Sequence, residues 1–176
     1  MQELILGGVR SGKSALAERL AQHSGLPVTY IATAQASEDT EMQQRIAHHR
    51  ARRPAHWGLV EVGADLAEAL SAHARPQQCL LVDCLTLWLT HLLCSLDDAA
   101  GAQAQQAFLD GLAQLPGHLI MVSNESSLGI VPMGALSRRF TEQAGRLHQA
   151  VAAQADRVIL TVAGLPHVLK GDAFES

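Results

Sequence analysis

Short runs of consecutive apolar residues alternate along the chain with longer segments of helical periodicity. The apolar runs are rich in Val, Ile and Leu and have the length of strands, at residues 4–7, 28–33, 59–62, 79–83, 119–123 and 158–162. Because they are continuous rather than alternating with polar residues, they are typical of strands that helices bury on both faces. The pattern predicts βαβ units around a mostly parallel sheet, and a last short run at 168–170 predicts an antiparallel edge strand.

The segments between these runs predict helices at residues 14–23, 38–50, 66–74, 85–95, 100–115 and 137–154. The fifth segment is rich in Ala and Gln, both good helix formers. A chain of 176 residues is about the size of one domain. We therefore expect a single α/β domain over residues 1–176, with three layers and a central sheet flanked by helices.

Composition and charge exclude several classes of protein. Apolar residues make up 48% of the chain, which is enough for a sizeable core, and 13 basic residues against 17 acidic ones give a net charge of −4. That balance argues against a nucleic-acid binder, which carries a basic footprint. No apolar run approaches the ~20 residues of a membrane span. Three cysteines make no disulfide framework, so we expect a cytoplasmic protein.

The strongest motif is Gly-Gly-Val-Arg-Ser-Gly-Lys-Ser at residues 7–14, which matches the phosphate-binding P-loop, G-x-x-x-x-G-K-[ST]. A predicted strand precedes it and a predicted helix follows it, as a P-loop requires. Backbone N–H groups at the start of that helix are suited to phosphate oxygens. We expect Lys13 to reach the β- and γ-phosphates and Ser14 to bind Mg²⁺. The expected phosphate contacts are Gly7, Gly8, Val9, Arg10, Ser11, Gly12, Lys13 and Ser14.

A second acidic group for the metal is predicted at Asp83, which follows four apolar residues at the end of a strand. This resembles a Walker B strand, whose Asp holds Mg²⁺ directly or through water. A simple helix cap is the alternative for an Asp in this place. Since ligands collect outside the carboxyl ends of strands in open α/β sheets, Thr33 and Asn124 are expected at the same edge as the P-loop.

Residues 45–57 concentrate four arginines and three histidines in a chain that is net acidic. Arginine presents a planar fork to phosphate, so this segment suits a polyphosphate ligand. On the predicted helix Met42, Ile46 and His49 share one face, which points His49 inward and leaves His48 exposed. An imidazole beside arginines can attack phosphorus, whereas a structural, half-buried histidine is the alternative.

Together these motifs resemble the bifunctional adenosylcobinamide kinase / adenosylcobinamide-phosphate guanylyltransferase family. The resemblance covers nearly the whole chain, and the P-loop is its least specific part. Its other segments are 30–33 (Tyr-Ile-Ala-Thr), 48–57 (His-His-Arg-Ala-Arg-Arg-Pro-Ala-His-Trp), 81–88, 122–125 (Val-Ser-Asn-Glu), 129–132 and 144–146. The sequence differs from the family pattern at Ser126-Ser127, where a Val-Gly-like pair is expected, and at His148, where Asn is expected.

The resemblance implies two reactions. ATP or GTP phosphorylates adenosylcobinamide, and GMP from GTP then passes through a histidine to adenosylcobinamide phosphate, with release of pyrophosphate. It implies that His49 carries the GMP and that family members are homotrimers. The guanine-nucleotide contacts that it implies beyond the P-loop are Ala32, Thr33, Ala34, Arg50, Ala51, Arg52, Arg53, Glu61 and Asp83.

Two other functions are compatible with the P-loop. One is a small-molecule kinase with no covalent step, in which the paired histidines have no chemical role. The other is a nucleotide-dependent switch or ATPase, which the absence of an extended interaction segment disfavours. A covalent adduct with GTP separates the family interpretation from both.

Overall fold

A seven-stranded sheet organises the chain, with the strands in the order β3-β2-β4-β5-β1-β6-β7. The computed structural model describes residues 1–34, 43 and 53–172. Its strands are β1 (Gln2–Gly7), β2 (Val28–Ala32), β3 (Gly58–Glu61), β4 (Cys79–Asp83), β5 (His118–Asn124), β6 (Arg157–Val162) and β7 (Leu165–Lys170). All six strands predicted from the apolar runs are confirmed, and β7 is the expected edge strand.

The first six strands pair in parallel, and only β7 pairs antiparallel, with β6. The central strands β1, β4 and β5 are buried along almost their whole length, in agreement with their continuous apolar sequences. The described helices are α1 (Lys13–His23), α2 (Leu66–His73), α3 (Leu85–Ser95), α4 (Asp98–Leu112) and α5 (Ala135–Gln154). The expected α/β fold is therefore confirmed.

Helices cover both faces of the sheet and divide the core in two. On one face α1 packs through Leu16, Ala17 and Ala21 against side chains of β1, β2, β4 and β5. On the other face α2 to α5 enclose the larger cluster, with Trp88 and Phe108 at its centre and their rings 5.0 Å apart. The Trp88 indole N–H donates to the carbonyl of Ala64, so burial of this polar group is compensated.

Three helix predictions differ from the structure by two or more residues or lie outside it. The helix predicted at 137–154 begins two residues earlier, at Ala135. The helix predicted at 100–115 begins two residues earlier and ends at Leu112, and the Asp97 side chain caps it by accepting from the N–H of Ala100 at 2.8 Å. The helix predicted at 38–50 lies outside the described residues except for position 43.

The strand order places the functional motifs side by side. β5 lies between β1, which leads into the P-loop, and β4, which ends at Asp83. The three strands are parallel, so their carboxyl ends form one edge. In the described part of the chain, no helix has the length and apolarity needed to cross a membrane.

Candidate nucleotide-binding site

The P-loop is a closed turn between β1 and α1. The N–H of Ser11 donates to the carbonyl of Gly8 at 3.2 Å, and the N–H of Gly164 donates to the carbonyl of Ser11 at 2.8 Å. Arg10 and Gly12 have positive φ angles, 56° and 97°. A hydrogen bond from the turn between β6 and β7 thus holds the loop. The φ angle at position 12 is one that glycine adopts readily and other residues avoid.

The first two glycines of the motif have different roles. A Cβ at Gly7 would lie 2.4 Å from the Ser11 Oγ and 2.7 Å from the backbone oxygen of Thr161, so no larger residue fits. A Cβ at Gly8 meets nothing within 4 Å. Gly7 is therefore required by packing, whereas Gly8 faces the open space that a phosphate group needs.

Lys13 lies across the loop. It is 8% exposed, and its Nζ donates to the carbonyl of Gly8 at 3.0 Å. Ser14 follows it in the first turn of α1 and is half-buried. The ammonium group is thus placed at the mouth of the loop, where it can reach the terminal phosphates of a nucleotide.

Asp83 is joined to β2 through Tyr30, whose hydroxyl donates to Asp83 Oδ2 at 2.9 Å. Burial, reinforced by the Asp83 carboxylate, raises the pKa of Tyr30 well above its ordinary range, so the phenol stays protonated. The guanidinium of Arg53 lies over the Tyr30 ring, with its Cζ 5.4 Å from the ring centroid. Arg53 is therefore the described arginine of segment 45–57 that the fold brings to Asp83.

Thr33 fixes the turn after β4. Its hydroxyl donates to the carbonyl of Cys84 and accepts the N–H of Cys84, both at 2.8 Å. Burial raises the pKa of the Cys84 thiol to about 11, which makes it a poor thiolate ligand. Cys94 is exposed on α3, and the described residues contain no group of three or more His, Cys, Asp or Glu side chains placed to hold a metal ion.

The carboxyl end of β5 brings together the polar side chains of Ser123, Asn124 and Glu125 with His148 of α5. Ser123 Oγ lies 2.7 Å from Nε2 of His148, and Glu125 Oε2 lies 3.9 Å from Nδ1 of the same ring. Asn124 donates through Nδ2 to the Thr86 hydroxyl at 3.1 Å. A signal for this cluster was present in the polar triplet that follows the apolar run 119–122, but pairing with His148 depends on the packing of α5.

Buried polar atoms without a hydrogen-bond partner among the described residues surround the loop. They are Ser11 Oγ, Asn124 Oδ1 and Thr161 Oγ1, which make up three of the four such side-chain atoms, and the fourth, Gln2 Oε1, lies at the opposite end of β1. Buried polar groups normally have partners, and unpartnered ones occur where a ligand, ion or water completes them. Their concentration around one loop supports a polar ligand there.

Most of the predicted site residues meet at this edge of the sheet. Ala32 pairs in register with both Asp83 and Glu61, so β2, β3 and β4 end together, with Thr33 and Ala34 directly after β2. The N–H of Thr33 donates to the Asp83 carbonyl at 3.3 Å. Four predicted site residues lie outside the described residues: His49, Arg50, Ala51 and Arg52. The inward orientation expected of His49 therefore stays a prediction.

Comparison with known proteins identifies the same family that the sequence motifs resemble. Residues 3–169 match the family described as cobinamide kinase / cobinamide phosphate guanyltransferase. The chain is 59% identical, over 98% of its length and 99% of the relative's, to the bifunctional adenosylcobalamin biosynthesis protein CobP of Pseudomonas aeruginosa. It is 38% and 39% identical to the proteins named CobU of Escherichia coli and Salmonella typhimurium, over 94% of this chain and 97% of each relative.

A solved structure also shares the fold. It is described as a structural study of PH0250 from Pyrococcus horikoshii, with a TM-score of 0.57, 10% identity, and coverage of 98% of this chain and 87% of that one. At this identity the likeness shows the fold alone.

Proposed function

The chain belongs to the cobinamide kinase / cobinamide phosphate guanyltransferase family, and from that premise we propose which of its residues perform the two reactions. The enzyme phosphorylates adenosylcobinamide with ATP or GTP and then transfers GMP from GTP to the product, giving adenosylcobinamide-GDP and pyrophosphate. The observation that carries this assignment is a P-loop with Lys13 held at its mouth, in a chain matched to the family over nearly its full length.

In both reactions the P-loop holds a nucleoside triphosphate. The backbone N–H groups of residues 8–14 and the ammonium of Lys13 bind the phosphates, and the open space over Gly8 admits them. Arg53, fixed over Tyr30, adds positive charge beside Asp83. The other guanine-nucleotide contacts are Ala32, Thr33, Ala34, Arg50, Ala51, Arg52 and Glu61. The positive charges of Lys13 and Arg53 offset the negative charge that develops on the phosphate oxygens during phosphoryl transfer.

Magnesium is the metal that this set of donors fits. Ser14 and Asp83 supply hydroxyl and carboxylate oxygens, and Mg²⁺ in nucleotide sites is held by one or two carboxylates together with substrate phosphates rather than by a full protein cage. We assign Ser14 and Asp83 to hold it. When bound, Mg²⁺ neutralises phosphate charge and orients the phosphates.

The guanylyl transfer proceeds through His49. Neutral imidazole attacks the α-phosphorus of GTP, a P–N bond forms, and the bond to the bridging oxygen breaks with loss of pyrophosphate. The phosphate of adenosylcobinamide phosphate then attacks the same phosphorus and releases the imidazole. Two easier displacements thus replace one difficult one. The motif His48-His49-Arg50 and the helical spacing of His49 from Ile46 support this choice over His48.

The test is incubation of the purified protein with Mg²⁺ and GTP labelled at the α-phosphate, followed by denaturation. We expect retained label that is labile to acid and stable to alkali, present in His48→Ala and lost in His49→Ala. The two variants are matched controls because they remove the same side chain at adjacent positions. Lys13→Ala should lose label by failing to bind the triphosphate.

The outcomes separate the alternatives. Label lost in His48→Ala but retained in His49→Ala would move the covalent site by one residue. Phosphorylation of adenosylcobinamide without any label in the wild type would leave a kinase with no covalent step. Nucleotide hydrolysis with neither label nor phosphorylated acceptor would favour a switch or ATPase.

Three further assignments belong to this proposal. Residues 1–176 form one domain, which the single sheet supports. The protein acts in the cytoplasm, which its free cysteines support. It assembles as a homotrimer, as the family resemblance implies, and the exposed apolar side chains that follow β5 are suited to contact between copies.

A further inference from the structure

Glu125 is the first residue beyond the sheet between the two halves of the nucleotide site. The register of β5 pairs Asn124 with Gly7 of the P-loop and Val122 with Asp83. The backbone N–H of Glu125 then donates to the carbonyl of Gly7 at 3.0 Å. A group at this point lies next to the P-loop, on the side from which ligands approach an open α/β sheet.

The two oxygens of the Glu125 carboxylate have different surroundings. Oε1 accepts from the backbone N–H of Ser127 at 2.5 Å and from the Ser127 hydroxyl. Oε2 lies 3.9 Å from Nδ1 of His148, which is beyond hydrogen-bond distance. The side chain is 14% exposed. Oε1 is therefore fixed by hydrogen bonds. Among the described residues Oε2 accepts no hydrogen bond, so it retains a lone pair for a ligand.

His148 approaches Glu125 from α5 and is itself fixed by the sheet. The ring is 7% exposed, and its Nε2 lies 2.7 Å from the hydroxyl of Ser123. Burial lowers the pKa of His148, an effect that outweighs the opposing influence of Glu125, so the ring is neutral at pH 7. When Ser123 donates to Nε2, the single ring proton is on Nδ1 and faces Glu125.

We propose that Glu125 accepts the hydroxyl proton of adenosylcobinamide in the kinase reaction. We propose that His148, whose Nδ1 lies 3.9 Å from Oε2, is a positioning residue that orients the carboxylate through the dipole of its Nδ1–H group. The inference rests on the proposed kinase activity. The hydroxyl oxygen forms a bond to the γ-phosphorus, and the bond from that phosphorus to the bridging oxygen breaks. The nucleoside diphosphate leaves with the electron pair, and the proton passes to Oε2 of Glu125 and then to water.

Asp83 does not fit this role as well. Its Oδ2 already accepts the Tyr30 hydroxyl, and the proposed function assigns the residue to Mg²⁺. Glu125 instead directly follows β5, the strand between Asp83 and the P-loop, and presents an oxygen without a hydrogen bond among the described residues. A general base must be within reach of the proton that it takes. The hydrogen bond from the N–H of Glu125 to the carbonyl of Gly7 places this residue directly beside the P-loop, where the reaction would occur.

The experiment compares Glu125→Gln with Glu142→Gln, the same change at an exposed position of α5. Phosphorylation of adenosylcobinamide and guanylyl transfer to preformed adenosylcobinamide phosphate are measured separately. In Glu125→Gln we expect kcat of the kinase reaction to fall by about 10²–10⁴-fold, with guanylyl transfer and nucleotide affinity unchanged. Glu142→Gln should leave both reactions unchanged.

His148→Ala tests the positioning role. We expect it to lower kcat of the kinase reaction by about 10- to 100-fold, the cost of a misplaced catalytic group. In the Glu125→Gln background it should cause no further loss, because it acts through the carboxylate. A full additional loss in the double variant would mean that His148 acts independently of Glu125.

Failure of the inference is distinguishable from failure of the proposed function. A wild-type protein that does not phosphorylate adenosylcobinamide refutes the kinase assignment itself. An active wild type with an equally active Glu125→Gln overturns only the role of Glu125. If Glu125→Gln unfolds, Glu125→Asp keeps the charge but withdraws it by one methylene, and a kinase rate equal to the wild type would overturn the role as well.

Discussion

At the scale of single residues, Gly7 and Gly8 are adjacent but required for different reasons. Gly7→Ala should lower the free energy of unfolding by about 1–3 kcal/mol, because the new Cβ meets the backbone oxygen of Thr161 at 2.7 Å. Gly8→Ala should leave stability unchanged and weaken nucleotide binding, since its Cβ enters only the space for phosphate. Urea unfolding and titration of each variant with GTP provide the two measurements. Equal stability of the two variants would show that the loop relaxes around Gly7.

The buried ring of His148 links stability to pH. Its pKa in the folded protein is lowered by burial below the ordinary value of about 6.5. The unfolded chain therefore binds the proton more readily, so this contribution to stability is fully present above pH 6.5 and is lost as the pH falls below it. His148→Asn should show a smaller decrease in unfolding free energy between pH 7 and about pH 5.5 than the wild type. An equal decrease in both proteins would exclude His148 as the cause.

At the scale of secondary-structure elements, the sheet is joined at the end opposite the P-loop by a buried carboxylate. Glu3 of β1 is fully buried, and its Oε2 accepts from Nε and Nη2 of Arg157 on β6 at 3.1 and 3.0 Å. Its Oε1 lies 2.8 Å from Nε2 of His118 on β5. One side chain thus links the two strands that flank β1.

Glu3→Ala should lower the free energy of unfolding by about 3 kcal/mol, because a buried pair loses one partner while the charge of Arg157 stays in place. Urea unfolding measures the change, and a constant slope with denaturant indicates that the unfolded state is unaltered. Glu3→Gln, which keeps the shape and one acceptor oxygen, should lose less. A loss below about 1 kcal/mol for the Ala variant would place this contact with ordinary surface ion pairs.

The elements also show how far the sequence could predict the structure. The strands were predictable because a strand buried on both faces is a continuous apolar run, as in 119–122. The P-loop was predictable because its chemistry is local. The contacts of Glu3 with Arg157 and of His148 with Ser123 join residues 154 and 25 positions apart. They depend on strand order and helix packing, which local patterns do not encode. The start of the helix at 98–112 depends on a side-chain cap by Asp97, which its alanine- and glutamine-rich composition does not indicate.

At the scale of the whole molecule, the segment that follows Glu125 exposes several large apolar side chains. Five large apolar side chains between the end of β5 and the first turn of α5 face solvent, and Ile130 and Met133 are 98% and 95% exposed. Contiguous apolar patches of this kind mark interaction surfaces. The proposed homotrimer would cover this patch with a second copy of the chain. The patch members are Leu128, Ile130, Val131, Met133 and Leu136.

Replacing the two most exposed members by charge tests this assignment. We expect the wild type to sediment as three chains of 18.8 kDa each and Ile130→Glu/Met133→Glu to sediment as a single chain, because charged groups cannot be buried unpaired in an interface. Leu165→Glu, on the exposed edge strand β7, is the matched control and should keep the assembly of the wild type. An unchanged mass in the double variant together with a raised KM for adenosylcobinamide would instead assign the patch to the acceptor. It would then extend the kinase site from Glu125 along the segment that follows it.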